Sequence, residues 1–365
     1  MSAPANPFAA QAPLRPGDRV AIVSPSSPAK REHLDAAVGA LRAWGLEVVV
    51  GESALAVDER ASYLAGSDEV RRRDLVTAWT DPAVAAVVAL RGGYGAMRLL
   101  DGLDFRALRA AARLPDGRPK LLTGSSDITA LHRAWQAWIG VPTLFSPMPG
   151  NAVFADSARI RADVRAWMLE PWGGRTITGA LDLAGASAAE PTLAPEASQA
   201  SASAAGARPE TDLRAPTVLA PGTARGVLTG GNLSLIAASL GAPEDSRPGA
   251  DGTSAIAVLE DVDEDPQRLD NLLLQLERSG WFESLAGIVL GSWQDCGDPA
   301  AIEGLLREYF AERAIPVVAG LGLGHDPEAP AVGLGVPVEL RAPAGGAPAL
   351  EVLGEPAPPA AGGAA

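Results

Sequence analysis

Residues 120–132 read KLLTGSSDITALH: a short apolar run ending at Gly124, two serines, an acid, and the opening of a helix. A buried strand that turns sharply into a helix has this order. A plain connection has no need of two hydroxyls and a carboxylate at its corner. A serine or aspartate at a helix N-cap would explain them, and so would a serine held out for chemistry. The α/β-hydrolase pattern G-x-S-x-G is not met, because Ile128 stands where its last glycine would be.

The flanking sequence repeats the strand-then-helix order. RVAIVSP (19–25), LEVVVG (46–51), VAAVVALRGG (84–93) and TLFSP (143–147) read as further strands. Helices are predicted over 31–45, 68–80 and from about Ile128 to Trp138. Nearly continuous apolar strands between helices imply a parallel sheet covered on both faces. In such sheets ligands sit beyond the carboxyl ends of the strands. SPSSPA (24–29), RGGYG (91–95) and GSSD (124–127) all fall there.

Residues 184–216 are Ala-, Ser-, Pro- and Gly-rich with almost no large side chains, and are read as a linker or extended insertion. Order is expected again near Thr217. RGVLTGGNLSLIAASLGAP (225–243) reads as strand, glycine corner and helix; SAIAVLED (254–261) as a strand; 265–280 as an amphipathic helix with Leu269, Leu272, Leu273 and Leu276 inside. LAGIVLGSW (285–293), a helix over 299–313, IPVVAGLGLGH (315–325) and two short strands, VPVEL and ALEVL, follow. The expected fold class is therefore α/β, an N-terminal parallel-sheet domain (15–175) and a smaller C-terminal α/β domain (217–354), with a linker at 176–216 and a disordered tail at 355–365.

Composition narrows the function. With 365 residues, two domains is the usual arrangement. A net charge of −14 argues against a nucleic-acid surface, which needs clustered cations. No apolar run reaches the roughly 18 residues of a membrane span, and the N-terminus lacks the pattern of a signal peptide. A cytoplasmic protein is expected. The single cysteine, Cys296, excludes an intramolecular disulfide and reads as a bystander.

The chain has three histidines. His33 lies among charges and reads as a solvated surface residue. His132 lies six residues after Ser126, about 600° around a helix, and points away from the corner; it reads as structural or surface. His325 follows GLGLG at a strand end, where it can project into a cleft. A serine hydroxyl needs a base, and that base an orienting group. LEDVDED (259–265) supplies carboxylates. Asp261, Asp263, Glu264 and Asp265 read mostly as capping or solvated residues before a helix, whereas Glu260 should sit at the strand end near the cleft. The acid cluster lacks metal-site spacing.

In this order, RPGDRVAIVSPSSPA, ALRGGYGAMRLL, KLLTGSSDITALH, RGVLTGGNLSLIAASLGAP, LEDVDEDPQRLDNLLLQLERSG, GIVLGSW and GLGLGH resemble the LD-carboxypeptidase family of serine peptidases, which includes the microcin C self-immunity peptidases. The resemblance spans roughly residues 15–340. It implies an active site between the two domains and a Ser–His–Glu triad of Ser126, His325 and Glu260. Backbone N–H groups of Asp127 and of Gly92 or Gly93 would hold the oxyanion, with neither metal nor cofactor. The implied partner is a small muropeptide, cut before a terminal D-alanine in peptidoglycan recycling, with no nucleic acid or membrane; a homodimer is the family habit. Arg91 is a candidate for the substrate's terminal carboxylate.

Two positions depart from the family. Ser125 replaces an aromatic residue, and VGLG (332–335) replaces L-P-x-G, which predicts a looser loop around Gly333. An immunity-type peptidase would want an aromatic surface for a base; Trp167 and Trp172 are candidates, or core. A non-catalytic binding protein on the same scaffold is the third reading.

Overall fold

The computed structural model describes residues 12–181, 213–243 and 253–354. The first half runs β1 (Arg19–Val23), α1 (Arg31–Ala43), β2 (Glu47–Val50), α2 (Asp68–Thr80), β3 (Val84–Ala89), α3 (Phe105–Ala110), β4 (Leu121–Gly124), α4 (Thr129–Ala134), β5 (Thr143–Phe145), α5 (Ala152–Asp156) and α6 (Ala158–Leu169). The second contains β6 (Thr176–Ile177), β7 (Thr217–Ala220), β8 (Gly222–Asn232), α7 (Leu233–Ala238), β9 (Ala255–Val262), α8 (Pro266–Arg278), β10 (Leu285–Gln294), α9 (Pro299–Phe310), β11 (Val317–Ala319), β12 (Val332–Leu334), β13 (Pro337–Ala342) and β14 (Ala349–Val352).

Two sheets result. The six-stranded one has the order β12-β5-β4-β3-β1-β2. From β2 to β5 its neighbours are parallel, as the apolar strands and intervening helices require. The eight-stranded one has the order β6-β14-β13-β8-β9-β10-β11-β7, with β8 to β11 parallel and antiparallel strands outside them.

Local chemistry sets the helix starts. Ser67 Oγ accepts the Val70 N–H at the head of α2, and Asp265 accepts the Arg268 N–H at the head of α8, followed by Pro266 in the first turn. The four leucines predicted inside α8 are buried. α6 was not foreseen, although Ser157 caps it and Ile160, Val164, Trp167 and Met168 form its buried stripe.

The two halves are joined by more than a linker. β12, from the second half, pairs antiparallel with β5 at the edge of the first sheet. Asp163 on α6 accepts the Ala331 N–H just before it. Gly333 is thus a buried strand residue paired with Leu144, not part of a looser loop, and Trp172 fills the space a Cβ would need. One apolar cluster runs through both sheets, from Leu14 and Phe145 to Val338 and Val352. Most of the stretch 184–216 and all of the tail 355–365 lie outside the described residues.

Candidate active site

The corner after β4 presents one side chain. From Leu121 to Trp135 every residue is buried except Ser126, which is half-exposed. Its φ is 59°, in the left-handed region that costs a residue with a Cβ on the order of 1 kcal/mol or more. Gly124 precedes it at φ 155°, where an added Cβ would meet Ile128 at 2.9 Å. Ser125 is buried and makes no side-chain cap, so the helix-capping explanation of the two serines does not hold for it.

Three loops from the carboxyl ends of β1, β3 and β4 meet here. Gly92 touches the serine: an added Cβ would lie 2.9 Å from Ser126 Cβ and 3.1 Å from Oγ. At Gly93, φ is 106° and Ser27 occupies the space a Cβ would take. Ser27 donates its N–H to Gly92 O at 3.2 Å and accepts the Tyr94 N–H at 3.2 Å. Arg91 is exposed and donates Nη1 to Pro28 O at 2.9 Å.

The second sheet brings its own strand ends to the same place. Thr129, one turn past Ser126, accepts the Asn232 N–H at 3.0 Å, and Gly231 (φ 128°) leaves room for the threonine. Asn232 is in register with Glu260 on the next strand. Glu260 is fully buried, and its Oε2 lies 2.5 Å from His325 Nδ1. Glycine makes this contact feasible, because a Cβ at Gly324 would lie 2.5 Å from Glu260 Oε2 and one at Gly291 would lie 3.0 Å from its Cβ. Ser292 fixes the histidine loop by accepting the His325 N–H at 2.7 Å and donating its own N–H to Leu323 O at 2.8 Å. Gly291 and Ser292 belong to the GIVLGSW motif, whose role was not read from the sequence.

The electrostatics follow from this packing. Burial disfavours the imidazolium of His325, but the Glu260 carboxylate outweighs it and holds the pKa above the ordinary value. A histidine with Nδ1 on a carboxylate presents Nε2 as the proton acceptor. Among the described residues no hydrogen bond joins Ser126 to His325; such contacts commonly tighten only when substrate binds. A cavity of about 200 Å³ adjoins the histidine loop, lined by Ser292, Trp293, Asp295, Gly322 and Asp326.

The remaining candidates take structural places. His132 is fully buried beneath the corner, with Nε2 2.9 Å from Gly124 O and Nδ1 2.8 Å from Thr143 Oγ1. Burial pushes its pKa down to about 4, so it is neutral, donating to the carbonyl and accepting from the hydroxyl. His33 is not a solvated residue: it is half-buried, with Nδ1 2.9 Å from Gly150 O. Cys296 is buried and its thiol is pushed up to about 11. Asp261 is buried rather than solvated, accepting from Asn232 Nδ2 and from the Ser234 N–H and hydroxyl. Trp167 and Trp172 pack edge to face in the core. Among the described residues no group of three or more His, Cys, Asp or Glu side chains is arranged to hold a metal ion, and no helix is long and apolar enough to cross a membrane.

Two family profiles match this chain in order: the LD-carboxypeptidase N-terminal domain over residues 20–146 and the LD-carboxypeptidase C-terminal domain over residues 225–340. The chain belongs to the LD-carboxypeptidase family. It is a serine carboxypeptidase, a hydrolase. A Streptomyces coelicolor relative that carries the provisional name carboxypeptidase is 40% identical over 332 residues, covering 91% of this chain and 93% of its own. The murein tetrapeptide carboxypeptidase of Pseudomonas aeruginosa is 32% identical, covering 84% and 88%. The crystal structure of a muramoyltetrapeptide carboxypeptidase from Oxalobacter formigenes matches with a TM-score of 0.68 at 26% identity, covering 93% and 99%. The microcin C7 self-immunity protein MccF in its wild-type apo state shares the fold, with a TM-score of 0.72 at 21% identity, covering 94% and 98%. The LD-carboxypeptidase fold thus accounts for both sheets.

Proposed function

We propose that this chain hydrolyses the L,D-peptide bond before the terminal D-alanine of murein tetrapeptides, in the cytoplasm, with Ser126 as nucleophile, His325 as general base and Glu260 as the group that orients it. The observation that carries this reading is the contact between Glu260 and His325 at the end of β9. An imidazole held against a buried carboxylate, together with a strained serine at the corner of the other sheet, has the composition of a hydrolytic triad.

In the first step Ser126 Oγ gives its proton to His325 Nε2 and bonds to the scissile carbonyl carbon, whose oxygen becomes an oxyanion. Backbone N–H groups of Gly92 or Gly93 and of Asp127 stabilise that charge. The carbon–nitrogen bond then breaks, and His325 passes its proton to the departing D-alanine amine. Water, deprotonated by His325, attacks the acyl-enzyme and releases the tripeptide acid and Ser126. Arg91, exposed beside the glycine loop, is the proposed partner of the departing residue's carboxylate.

The immunity-type reading is the weaker one, since Trp167 and Trp172, its candidate surface for a base, are in the core. The test is D-alanine release from a muropeptide tetrapeptide with an L,D bond, followed by mass spectrometry. The wild type should release D-alanine and Ser126→Ala should not. Release by both, or cleavage only of an aminoacyl-nucleotide amide, would sink the proposal.

A further inference from the structure

Arg71 and Asp127 lie outside the triad, yet both are buried at its edge. Arg71, on α2, is 0% exposed, and Asp127, beside the corner serine, is 2% exposed. An arginine in a surface helix is ordinarily exposed. This one spends its donors on loop carbonyls: Nε on Gly66 O, and Nη1 on both Pro25 O and Gly95 O, with Nη2 on Asp68. Asp127 Oδ2 accepts the Ser26 hydroxyl at 2.5 Å and the Ala96 N–H at 2.8 Å.

The two sets interlock. Arg71 holds the carbonyl of Pro25 while Asp127 holds the hydroxyl of the next residue, Ser26. Arg71 holds the carbonyl of Gly95 while Asp127 holds the N–H of the next residue, Ala96. Each loop is gripped at two adjacent positions, by a cation on an oxygen and by an anion on a donor. A Cβ at Gly95 would lie 2.5 Å from Arg71 Nη1, so the glycine loop is pressed directly onto the guanidinium. The first loop in turn carries Ser27, which bonds Gly92 O and the Tyr94 N–H. The clamp therefore ends at Gly92 and Gly93, against Ser126.

We infer that Arg71 and Asp127 are positioning residues, a buried charged clamp that fixes the Gly92–Gly93 amides relative to Ser126. The inference rests on the reading of Ser126 as nucleophile and of those amides as oxyanion donors. Misplacing such donors by about 1 Å costs up to ~10²-fold in rate. The clamp does not touch the substrate's ground state, so its loss should appear in kcat and not in KM.

The test uses the full-length protein with Asp127→Asn and Ser26→Ala, the second being the milder change should the first fold poorly. Two quantities are read on variants whose melting shows them folded: kcat and KM for D-alanine release, and the rate at which a fluorophosphonate modifies Ser126. Phosphonylation also places negative charge on an oxygen beside the serine, so it reports the clamp without depending on the natural substrate. Both variants should lose tenfold or more in modification rate and in kcat, with KM changed by less than about twofold. Wild-type modification rates in the folded variants would overturn the clamp, as would a raised KM at unchanged kcat. A wild type that is modified at Ser126 but releases no D-alanine would refute the substrate reading alone, leaving the modification rates to judge the clamp. A wild type not modified at Ser126 would refute both.

Discussion

At the scale of the residue, the site depends on a few close approaches. His325 is the one with a titration to measure. Its pKa is held above the ordinary value of 6.5 by the buried Glu260 carboxylate, against the effect of burial. If His325 is the general base as proposed, only its neutral imidazole takes the serine proton, so kcat/KM should rise with pH through a midpoint above 6.5. In Glu260→Gln the main charge opposing burial is gone and only Asp261 still raises the pKa, so the midpoint should move to lower pH while the plateau falls about 10³–10⁴-fold. A midpoint that stays where it was in the variant would separate Glu260 from the histidine's chemistry. That Glu260 follows the strand AIAVL and His325 the glycine loop GLGLG was legible from the residues; that they pair was implied by the family resemblance. Arg71 was not legible. In DEVRRRDLVTAWT it is one of three consecutive arginines, and only the folded loops reveal that it is the buried one. Ser26 was hidden for the same reason, since its partner lies 101 residues away.

At the scale of the element, the apolar strands were readable because a parallel sheet buries both faces and needs no alternation. β12 was not readable. Val332–Leu334 is too short to carry a period, and its partner β5 lies in the other half of the chain. The substitution of glycine for the family's proline at 333 gains a physical reason from this pairing: the Trp172 ring stands where any Cβ would go. Gly333→Ala should therefore destabilise the protein by about 1–3 kcal/mol through overpacking, read as a lower urea midpoint at unchanged slope. An unchanged midpoint would mean that Trp172 can move aside without cost. α6 was missed although its cap and stripe were in view, because the charges of RIRADVR interrupt the apolar run, and one of them, Asp163, is turned inward to accept the Ala331 N–H.

At the scale of the whole molecule, the proposed catalytic groups are divided between two sheets. The corner serine and the glycine loop hang from the first, and the Glu260–His325 pair hangs from the second. They are held together by the Thr129–Asn232 bond, the β5–β12 pair and an apolar core that runs through both. The reactivity of a residue in one half should therefore be controlled by a residue nearly 200 positions away in the other. The most direct measurement is to map the adduct formed by a fluorophosphonate by peptide mass spectrometry, in the wild type and in His325→Ala. A single adduct on Ser126 is expected in the wild type, formed about 10³-fold or more slowly without the histidine. An adduct on another residue, or a Ser126 adduct whose rate ignores His325, would contradict it.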